Sequence, residues 1–368
     1  MGGTEMKYIK QAFDTNWIAP LGENINEFEN EIKNHLGSQN EVACLSSGTA
    51  ALHLSLILAG VKDNDEVLCQ TFTFSATINP IIYQRAIPIF IDSELDTWGM
   101  SPVYLEKAIK ERIALGKKPK AIVVVHLYGM PVKIEEISKI AKAYDIVLIE
   151  DAAAAIGSSY KGQKCGTFGD FGIISFNGNK VITTSGGGAL ICKNKEVKER
   201  AIFLATQARD NAPHYQHSNI GYNYRLSNIL AGIGRGQMEV LDSHIAKRRA
   251  NHKFYKALLT DIKEVNLFKE PNENYFSNHW LSVILIKENT NFNRKELRAH
   301  LDEENIESRS LWKPMHIQPI FNSYPYYGKN IAETLFNNGL CLPSGSNLLE
   351  EDKRRISNKL KQYFITSY

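Results

Sequence analysis

Short apolar runs alternate with helical stretches between residues 40 and 192, and this alternation limits the possible folds more than any other feature. The β-branched runs lie at Glu66–Cys69, Ile87–Ile91, Ala121–Val125 and Ile146–Ile149, and the helical patterns between them at Thr49–Ala59, Pro102–Leu115 and Val132–Tyr144. Near-continuous apolar strands separated by helices are typical of a parallel sheet covered on both faces. We therefore predict an α/β domain whose ligands bind in loops beyond the carboxyl ends of the strands.

The pattern changes after about residue 225. A long amphipathic stretch from Leu226 to Leu259 predicts one helix that leads to a second unit. Strand and helix patterns follow at Trp280–Ile286, Arg294–Glu304 and Glu350–Thr366. We predict a large domain over residues 1–240 and a smaller C-terminal α+β domain over 241–368.

Composition excludes several classes of protein. Hydrophobic residues make up 43% of the 368 residues and charged residues 23%, which excludes a disordered chain. A net charge of +3 is too even for a dedicated nucleic-acid binder, and no apolar run is long enough to span a membrane. No secretory signal is evident at the start, and the five scattered cysteines are expected to be buried thiols. We therefore expect a cytoplasmic protein.

Three segments carry candidate chemistry. In SSGTAALHL, a small polar turn with Gly48 and Thr49 opens a helix, where free N–H groups favour a phosphate, although a simple helix cap is the alternative. Asp151 ends an apolar strand and could face a ligand cation or cap a helix. Ser175 and Lys180 lie in SFNGNKVITTSGGG, and a lysine of lowered pKa can form a Schiff base with a carbonyl cofactor. Together these groups match the needs of pyridoxal phosphate.

The combined motifs resemble the DegT/DnrJ/StrS-type nucleotide-sugar aminotransferases. The resemblance covers essentially the whole chain and rests on WIAPLGENINEFE (17–29), SSGTAALHL (46–54), TFTFSATINPI (71–81), PIFIDSELDTWGMSP (88–102), VVHLYGMP (124–131), IEDAAAAIGSSYKG (149–162), GTFGDFGIISFNGNKVITTSGGGAL (166–190), GYNYRLSNILAGIG (221–234), RSLWKPMH (309–316) and CLPSGS (341–346). It implies the aspartate-aminotransferase (fold type I) architecture, with a mixed, mostly parallel sheet in the large domain.

The resemblance also implies a role for each matching residue. Lys180 falls on the lysine that holds the cofactor, and Asp151 on the acid at the pyridine nitrogen. Phe74 falls on the aromatic residue that stacks on the ring. Gly48, Thr49 and Ser175 fall on phosphate contacts. Asn223 falls on the asparagine that reaches the phosphate of the neighbouring subunit, which implies a homodimer with shared active sites.

The implied reaction moves an amino group from L-glutamate to C4 of a UDP-linked 4-keto-6-deoxy-N-acetylhexosamine, as in bacillosamine-type pathways. An aminotransferase for another dTDP- or GDP-linked keto sugar is the alternative, as is a regulatory relative without turnover. Dehydratases of this fold replace the lysine with histidine, and Lys180 argues against that activity.

Further cationic and polar residues are candidates for contacts with the nucleotide sugar: Arg225, Arg309, Lys313, His316, His214, Tyr215 and His217. The two histidines of HYQH have no carboxylate or cysteine at ligand spacing, so we expect no metal site. The basic run Lys247–Arg249 is interpreted as a solvated helix face.

The chain departs from the family pattern at two places. In the family the EDAA motif is usually followed by Gln, Glu or His, whose side chain lies beside the cofactor in relatives. Here that position is Ala154, and the absence of the polar side chain could lower activity. The family usually begins with a strand like LSPPHMGG, whereas this sequence starts at MGG, so about ten residues near the active-site entrance are expected to be missing.

Overall fold

The computed structural model describes residues 1–366 as alternating helices and strands. The helices are α1 (Glu5–Asp14), α2 (Glu23–Leu36), α3 (Gly48–Leu58), α4 (Asn79–Tyr83), α5 (Pro102–Ala114), α6 (Ile134–Ala143), α7 (Lys195–Ala205), α8 (Asn228–Met238), α9 (Leu241–Leu258), α10 (Arg294–Asp302), α11 (Ile331–Asn338) and α12 (Glu350–Thr366). The strands are β1 (Glu41–Leu45), β2 (Glu66–Gln70), β3 (Ile87–Ile91), β4 (Ala121–Val125), β5 (Val147–Asp151), β6 (Ser159–Tyr160), β7 (Gln163–Lys164), β8 (Phe171–Ser175), β9 (Gly188–Cys192), β10 (Val265–Leu267), β11 (Tyr275–Phe276), β12 (Ser282–Ile286), β13 (Arg309–Ser310), β14 (Tyr326–Tyr327) and β15 (Gly339–Leu342).

An eight-stranded sheet forms the centre of the molecule, with the strand order β1-β9-β8-β5-β4-β2-β3-β14. Neighbouring strands from β8 to β14 are parallel, whereas β9 runs antiparallel to both β1 and β8. The predicted mixed, mostly parallel sheet is confirmed, and the four predicted central strands correspond to β2–β5.

Helices cover both faces of this sheet, which explains why its strands are apolar at nearly every position. Leu68 and Ile122 pack in a buried cluster with residues of α5 and α6. The next residue in each strand, Cys69 or Val123, packs instead with residues of α3, α4 and α7. Because successive strand side chains point to opposite faces, a strand covered on both sides needs an unbroken apolar run.

A second, four-stranded antiparallel sheet has the order β10-β12-β15-β13. Tyr255 of α9, Leu297 of α10 and Leu360 of α12 form its hydrophobic core with Ile284 and Leu340 of the sheet. A smaller sheet combines β11 with the hairpin β6–β7.

The chain returns to the large sheet after entering this second unit. Strand β14 pairs in parallel with β3, with Tyr326 opposite Phe90. The Met315 N–H donates to the Thr71 carbonyl (2.8 Å), and Phe321 lies in the core cluster beneath α3. Residues 315–327 therefore pack on the large sheet, although the division at 240/241 remains a prediction.

The predicted single helix over 226–259 is wrong, because α8 and α9 are separate helices. Val240 between them has φ −113° and ψ 5°, outside the helical range. The preceding Glu239 carboxylate accepts hydrogen bonds from Thr4 Oγ1 (2.7 Å) and Tyr8 Oη (2.6 Å). These long-range bonds, which hold the turn beside α1, are not visible in hydrophobic periodicity.

All five cysteines are buried free thiols. Within residues 1–366, no helix combines the length and the apolar character needed to cross a bilayer.

Candidate active site

A cavity of about 660 Å³ opens at the carboxyl edge of the parallel strands. One wall comes from the loops after β1, β2, β4, β5 and β8, and the opposite wall from residues of the second sheet and α9. Of the residues predicted for the site, the cavity brings together Gly48, Thr49, Phe74, Asp151, Ser175, Lys180 and Arg309.

Lys180 lies in the turn after β8, where its N–H donates to the Asn177 carbonyl (3.0 Å). Its Nζ lies 4.3 Å from the centroid of the Trp280 ring. The Trp280 indole N–H donates to the Asn179 carbonyl (2.7 Å), which fixes the same turn. Burial of the ammonium group lowers the pKa of Lys180 to about 8, although the negative charge of Asp151 opposes the shift. About a tenth of the Lys180 amine is therefore neutral at pH 7, and this fraction rises as the pH approaches 8.

Asp151 is the last residue of β5 and is almost fully buried. Its carboxylate accepts hydrogen bonds from Thr77 Oγ1 (2.8 Å) and from the Ala153 N–H (3.1 Å). The Thr77 hydroxyl is also 2.8 Å from Thr73 Oγ1. These bonds fix a carboxylate in the cavity wall, where it can pair with a cationic ring nitrogen.

The N-terminus of α3 forms an anion cradle. Ser47 Oγ accepts the Ala50 N–H (3.0 Å) as a helix cap. The Gly48 and Thr49 N–H groups have no acceptor within residues 1–366, and both residues line the cavity. A Cβ atom at Gly48 would lie 3.1 Å from Ser175 Cβ, so a larger residue would crowd this close approach. A phosphate group fits this arrangement, because its charge matches the free N–H groups and the helix dipole.

Aromatic side chains border the cavity near this cradle. Phe74 is 56% exposed, and its ring centroid lies 5.9 Å from that of Trp312. Trp312 in turn packs against Tyr128, with centroids 4.7 Å apart. An exposed aromatic face at the rim of a polar cavity can stack on a flat heteroaromatic ligand.

Ala154 lines the cavity and is buried, and its carbonyl accepts a hydrogen bond from Asn278 Nδ2 (2.9 Å). The chain therefore places a methyl group where the family pattern has a polar side chain.

Two residues of the cavity wall have roles that the sequence analysis missed. The Nε2 atom of the buried His126 lies 2.9 Å from Glu150 Oε2. The Glu150 carboxylate also accepts hydrogen bonds from backbone N–H groups that follow β7. Arg248 is only 8% exposed and lines the cavity. The interpretation of Lys247–Arg249 as a solvated face is therefore wrong at Arg248, because the second sheet covers that side of α9.

Of the residues predicted to contact the nucleotide sugar, only Arg309 lines this cavity, and it is paired at the surface with Glu307. Lys313 is half-buried outside the cavity wall. His316 is held by Thr71 Oγ1 (2.7 Å) and Glu333 (3.2 Å) and stacks on Tyr326.

The other predicted residues lie away from the cavity of this chain. Arg225 is ion-paired with the buried Glu29 and donates to the Cys44 carbonyl. Asn223, which forms an isolated β-bridge, is exposed to solvent. The three predicted residues of the loop before it are exposed as well: His214, Tyr215 and His217.

Comparison with known proteins gives one consistent family. The sequence profile of the DegT/DnrJ/EryC1/StrS aminotransferase family matches residues 1–361. EpsN of Bacillus subtilis (strain 168), whose name assigns it provisionally to the pyridoxal phosphate-dependent aminotransferases, is 48% identical over 370 residues, which is 100% of this chain and 94% of EpsN. The GDP-perosamine synthase of Escherichia coli O157:H7 is 38% identical over 98% of this chain and 96% of its own length.

Solved structures agree with the sequence comparison. A DegT DnrJ EryC1 StrS aminotransferase from Brucella abortus superposes with a TM-score of 0.90 at 28% identity, covering 98% of this chain and 95% of that chain. The predicted fold type I architecture and the predicted cofactor are thereby confirmed. The chain belongs to the DegT/DnrJ/EryC1/StrS aminotransferase family and is a pyridoxal phosphate-dependent sugar aminotransferase.

Proposed function

We propose that this chain transfers an amino group from L-glutamate to C4 of a nucleotide-linked 4-keto-6-deoxy sugar. The observation that carries the proposal is the presence, in one cavity, of Lys180 with its lowered pKa, the buried carboxylate of Asp151 and the free N-terminus of α3. This set supplies an amine, an acid for a ring nitrogen and a phosphate cradle, which together suit amino-group transfer.

The chain's own residues have distinct parts in this reaction. Bound pyridoxal phosphate supplies an electron sink for the electrons released at the substrate carbon. Asp151, held by Thr77 and the Ala153 N–H, keeps the ring nitrogen protonated. The neutral Lys180 amine removes a proton from the substrate carbon and, as the conjugate acid, would deliver it to the cofactor carbon that receives the amino group. Gly48 and Thr49 hold the phosphate, so the ring cannot drift during these transfers.

Two acceptor sugars are candidates for this reaction. The motifs GNKVITTSGGG and SLWKPMH favour a UDP-linked 4-keto-6-deoxy-N-acetylhexosamine. The names of three relatives favour a GDP-linked 4-keto-6-deoxymannose, because GDP-perosamine synthases from three bacteria are 32–38% identical to this chain. A dTDP-linked keto sugar has no such support.

The proposed assembly is a homodimer in which each cofactor phosphate is reached by Asn223 of the other subunit. Its support is an exposed apolar surface near the N-terminus: Phe13, Trp17 and Leu21 are each at least 50% exposed. The Asn223 side chain is also exposed, and its Oδ1 atom accepts a long hydrogen bond from Gln207 Nε2 (3.3 Å).

A mixture of Asn223→Ala and Lys180→Ala subunits should recover activity. Mixed dimers without recovery would contradict the shared site.

The first experiment is an absorbance scan of the holoenzyme. L-Glutamate should remove the visible cofactor band, and the correct keto sugar should restore it. UDP-4-keto-6-deoxy-N-acetylglucosamine and GDP-4-keto-6-deoxymannose are added separately, so the sugar that restores the band identifies the nucleotide class. A band that L-glutamate leaves unchanged contradicts the proposed donor.

A further inference from the structure

Arg248 is an almost fully buried guanidinium group without a carboxylate partner. Its Nη1 atom donates to the carbonyls of Trp280 (2.6 Å) and Ser344 (3.1 Å). Its buried Nε atom has no hydrogen-bond partner, and no carboxylate of residues 1–366 lies within ion-pair distance. The group lies in the wall of the active-site cavity.

Similarly buried arginines in this chain are paired with carboxylates. Arg112 binds Glu66 in a two-pronged pair, and Arg225 binds Glu29. A buried charge without a partner is costly, and two carbonyl groups leave part of a five-donor guanidinium unsatisfied. The charge and the open donors of Arg248 therefore point to an anionic ligand in the cavity.

The surroundings of Arg248 are fixed by its own helix. Two residues on the same face of α9 hold the loop after β15: Asn251 Nδ2 donates to the Gly345 carbonyl (2.8 Å) and Tyr255 Oη to the Pro343 carbonyl (2.8 Å). Ser344 Oγ accepts the Ser282 N–H (2.7 Å), which ties this loop to β12. Arg248 therefore sits in a rigid frame, as a preorganised binding group should.

The position of Arg248 relative to Lys180 indicates which anion it binds. The two residues are linked by Trp280, whose carbonyl accepts from Arg248 and whose ring lies against the Lys180 ammonium group. An amino donor must bring its reacting carbon to Lys180, and its carboxylates lie only a few bonds from that carbon. Arg309, the other arginine in the cavity wall, is exposed and is therefore the better candidate for a bulky nucleoside diphosphate.

We propose that Arg248 binds a carboxylate of the amino donor, L-glutamate; this assignment rests on the function proposed above. Guanidinium groups bind carboxylates through two parallel hydrogen bonds, which the unpaired side of Arg248 can supply. Both the α- and the γ-carboxylate of L-glutamate have this chemistry. Arg248 determines specificity for L-glutamate only where it binds the γ-carboxylate, because every amino acid carries the α-carboxylate.

The test compares Arg248→Gln with the matched control Arg249→Gln in the holoenzyme. Arg249 is the next residue of α9, but it pairs with Glu270 instead of lining the cavity. Binding of glutarate, a dicarboxylate without an amino group, is measured by calorimetry. The L-glutamate and keto-sugar half-reactions are followed separately by absorbance. Arg248→Gln should weaken glutarate and L-glutamate at least ten-fold and leave the apparent affinity for the sugar unchanged, whereas Arg249→Gln should change neither.

L-Glutamine as a second donor distinguishes the two carboxylates. If Arg248 binds the γ-carboxylate, Arg248→Gln loses the preference for L-glutamate over L-glutamine. If it binds the α-carboxylate, both donors weaken to the same extent. If Arg248→Gln does not fold, Arg248→Lys is used, since it keeps the charge without the fork and should still weaken glutarate several-fold.

Unchanged glutarate and L-glutamate binding in a folded Arg248 variant overturns the proposal. So does a loss confined to the sugar half-reaction, which would assign Arg248 to the diphosphate. A wild-type enzyme that binds glutarate through Arg248 but shows no L-glutamate half-reaction would instead contradict the proposed function and leave the carboxylate site intact.

Discussion

Trp280 places its ring against the Lys180 ammonium group, 4.3 Å from Nζ to the ring centroid, although the two residues are a hundred positions apart in the chain. Lys180 follows a strand of the large sheet, and Trp280 precedes β12 of the second sheet. The reacting amine is therefore positioned by both parts of the molecule. The ring also excludes water from one side of the amine, consistent with the lowered pKa of Lys180.

Lys180 should be the residue that bonds covalently to the cofactor. Borohydride reduction should attach the cofactor permanently to the wild-type protein and leave Lys180→Ala unlabelled, with overall turnover lowered by at least about 10³-fold. Lys139→Ala is the control, because Lys139 pairs with Glu135 at the surface. Covalent labelling of Lys180→Ala, located by peptide mass spectrometry, would show that another lysine holds the cofactor.

The rate of the half-reaction with the keto sugar should rise with pH and level off above about pH 9. In that half-reaction Lys180 begins as a free amine and must be neutral to accept a proton. The pKa of Lys180 is about 8, so the neutral fraction grows from pH 6 to pH 8 and is nearly complete a unit higher. Single-turnover rates between pH 6 and pH 9.5 measure this. A flat profile over that range contradicts the assignment of Lys180 as the base.

Thr77 should position Asp151 without touching the substrate. Thr77→Val removes the 2.8 Å hydrogen bond to the carboxylate at nearly constant volume. Hydrogen bonds to charged groups contribute about 1.5–3 kcal/mol, so the affinity for the cofactor should fall by about ten-fold or more. Thr73→Val removes only the outer bond to Thr77 and should have a smaller effect.

Cofactor titrations followed by absorbance test whether Thr77→Val weakens cofactor binding more than Thr73→Val does. The pH dependence of the cofactor band gives a second readout. A carboxylate that is held less firmly should pair less well with the ring nitrogen, so the pH dependence of the band should differ from that of the wild type. Equal effects of the two variants on both readouts would mean that Thr77 acts only through local packing.

The central strands, and the residues that share the candidate cavity, could be predicted because they depend on local pattern. A strand covered on both faces must be apolar throughout, which identified β2–β5, and parallel strands place their following loops at one edge. Gly48, Asp151, Ser175 and Lys180 lie at or just beyond the ends of β1, β5 and β8 and therefore line one cavity.

Long-range contacts could not be predicted in the same way. Strand β14 contains only Tyr326 and Tyr327, too few residues to show a period, and it exists because β3 offers an open edge. Arg248 lies in a basic run of an amphipathic helix, a pattern that is usual for a solvated face. Its burial depends on the loop after β15, nearly a hundred residues later in the chain.

Arg225 and Arg309 offer a final test, because both were predicted to contact the sugar nucleotide and only one lines the cavity. Arg225→Gln breaks a buried ion pair with Glu29, which Lys198 also contacts at 2.9 Å, so the free energy of unfolding should fall by about 3 kcal/mol. Arg309→Gln breaks only an exposed pair with Glu307, which should change stability by less than about 1 kcal/mol. Urea unfolding measures these changes.

In kinetics the relative size of the two effects should reverse. Arg309→Gln should raise the KM for the keto sugar several-fold, and Arg225→Gln should leave it within about two-fold. A raised KM in a folded Arg225→Gln enzyme would instead place Arg225 in contact with the substrate, which in this fold would require the cavity of another subunit.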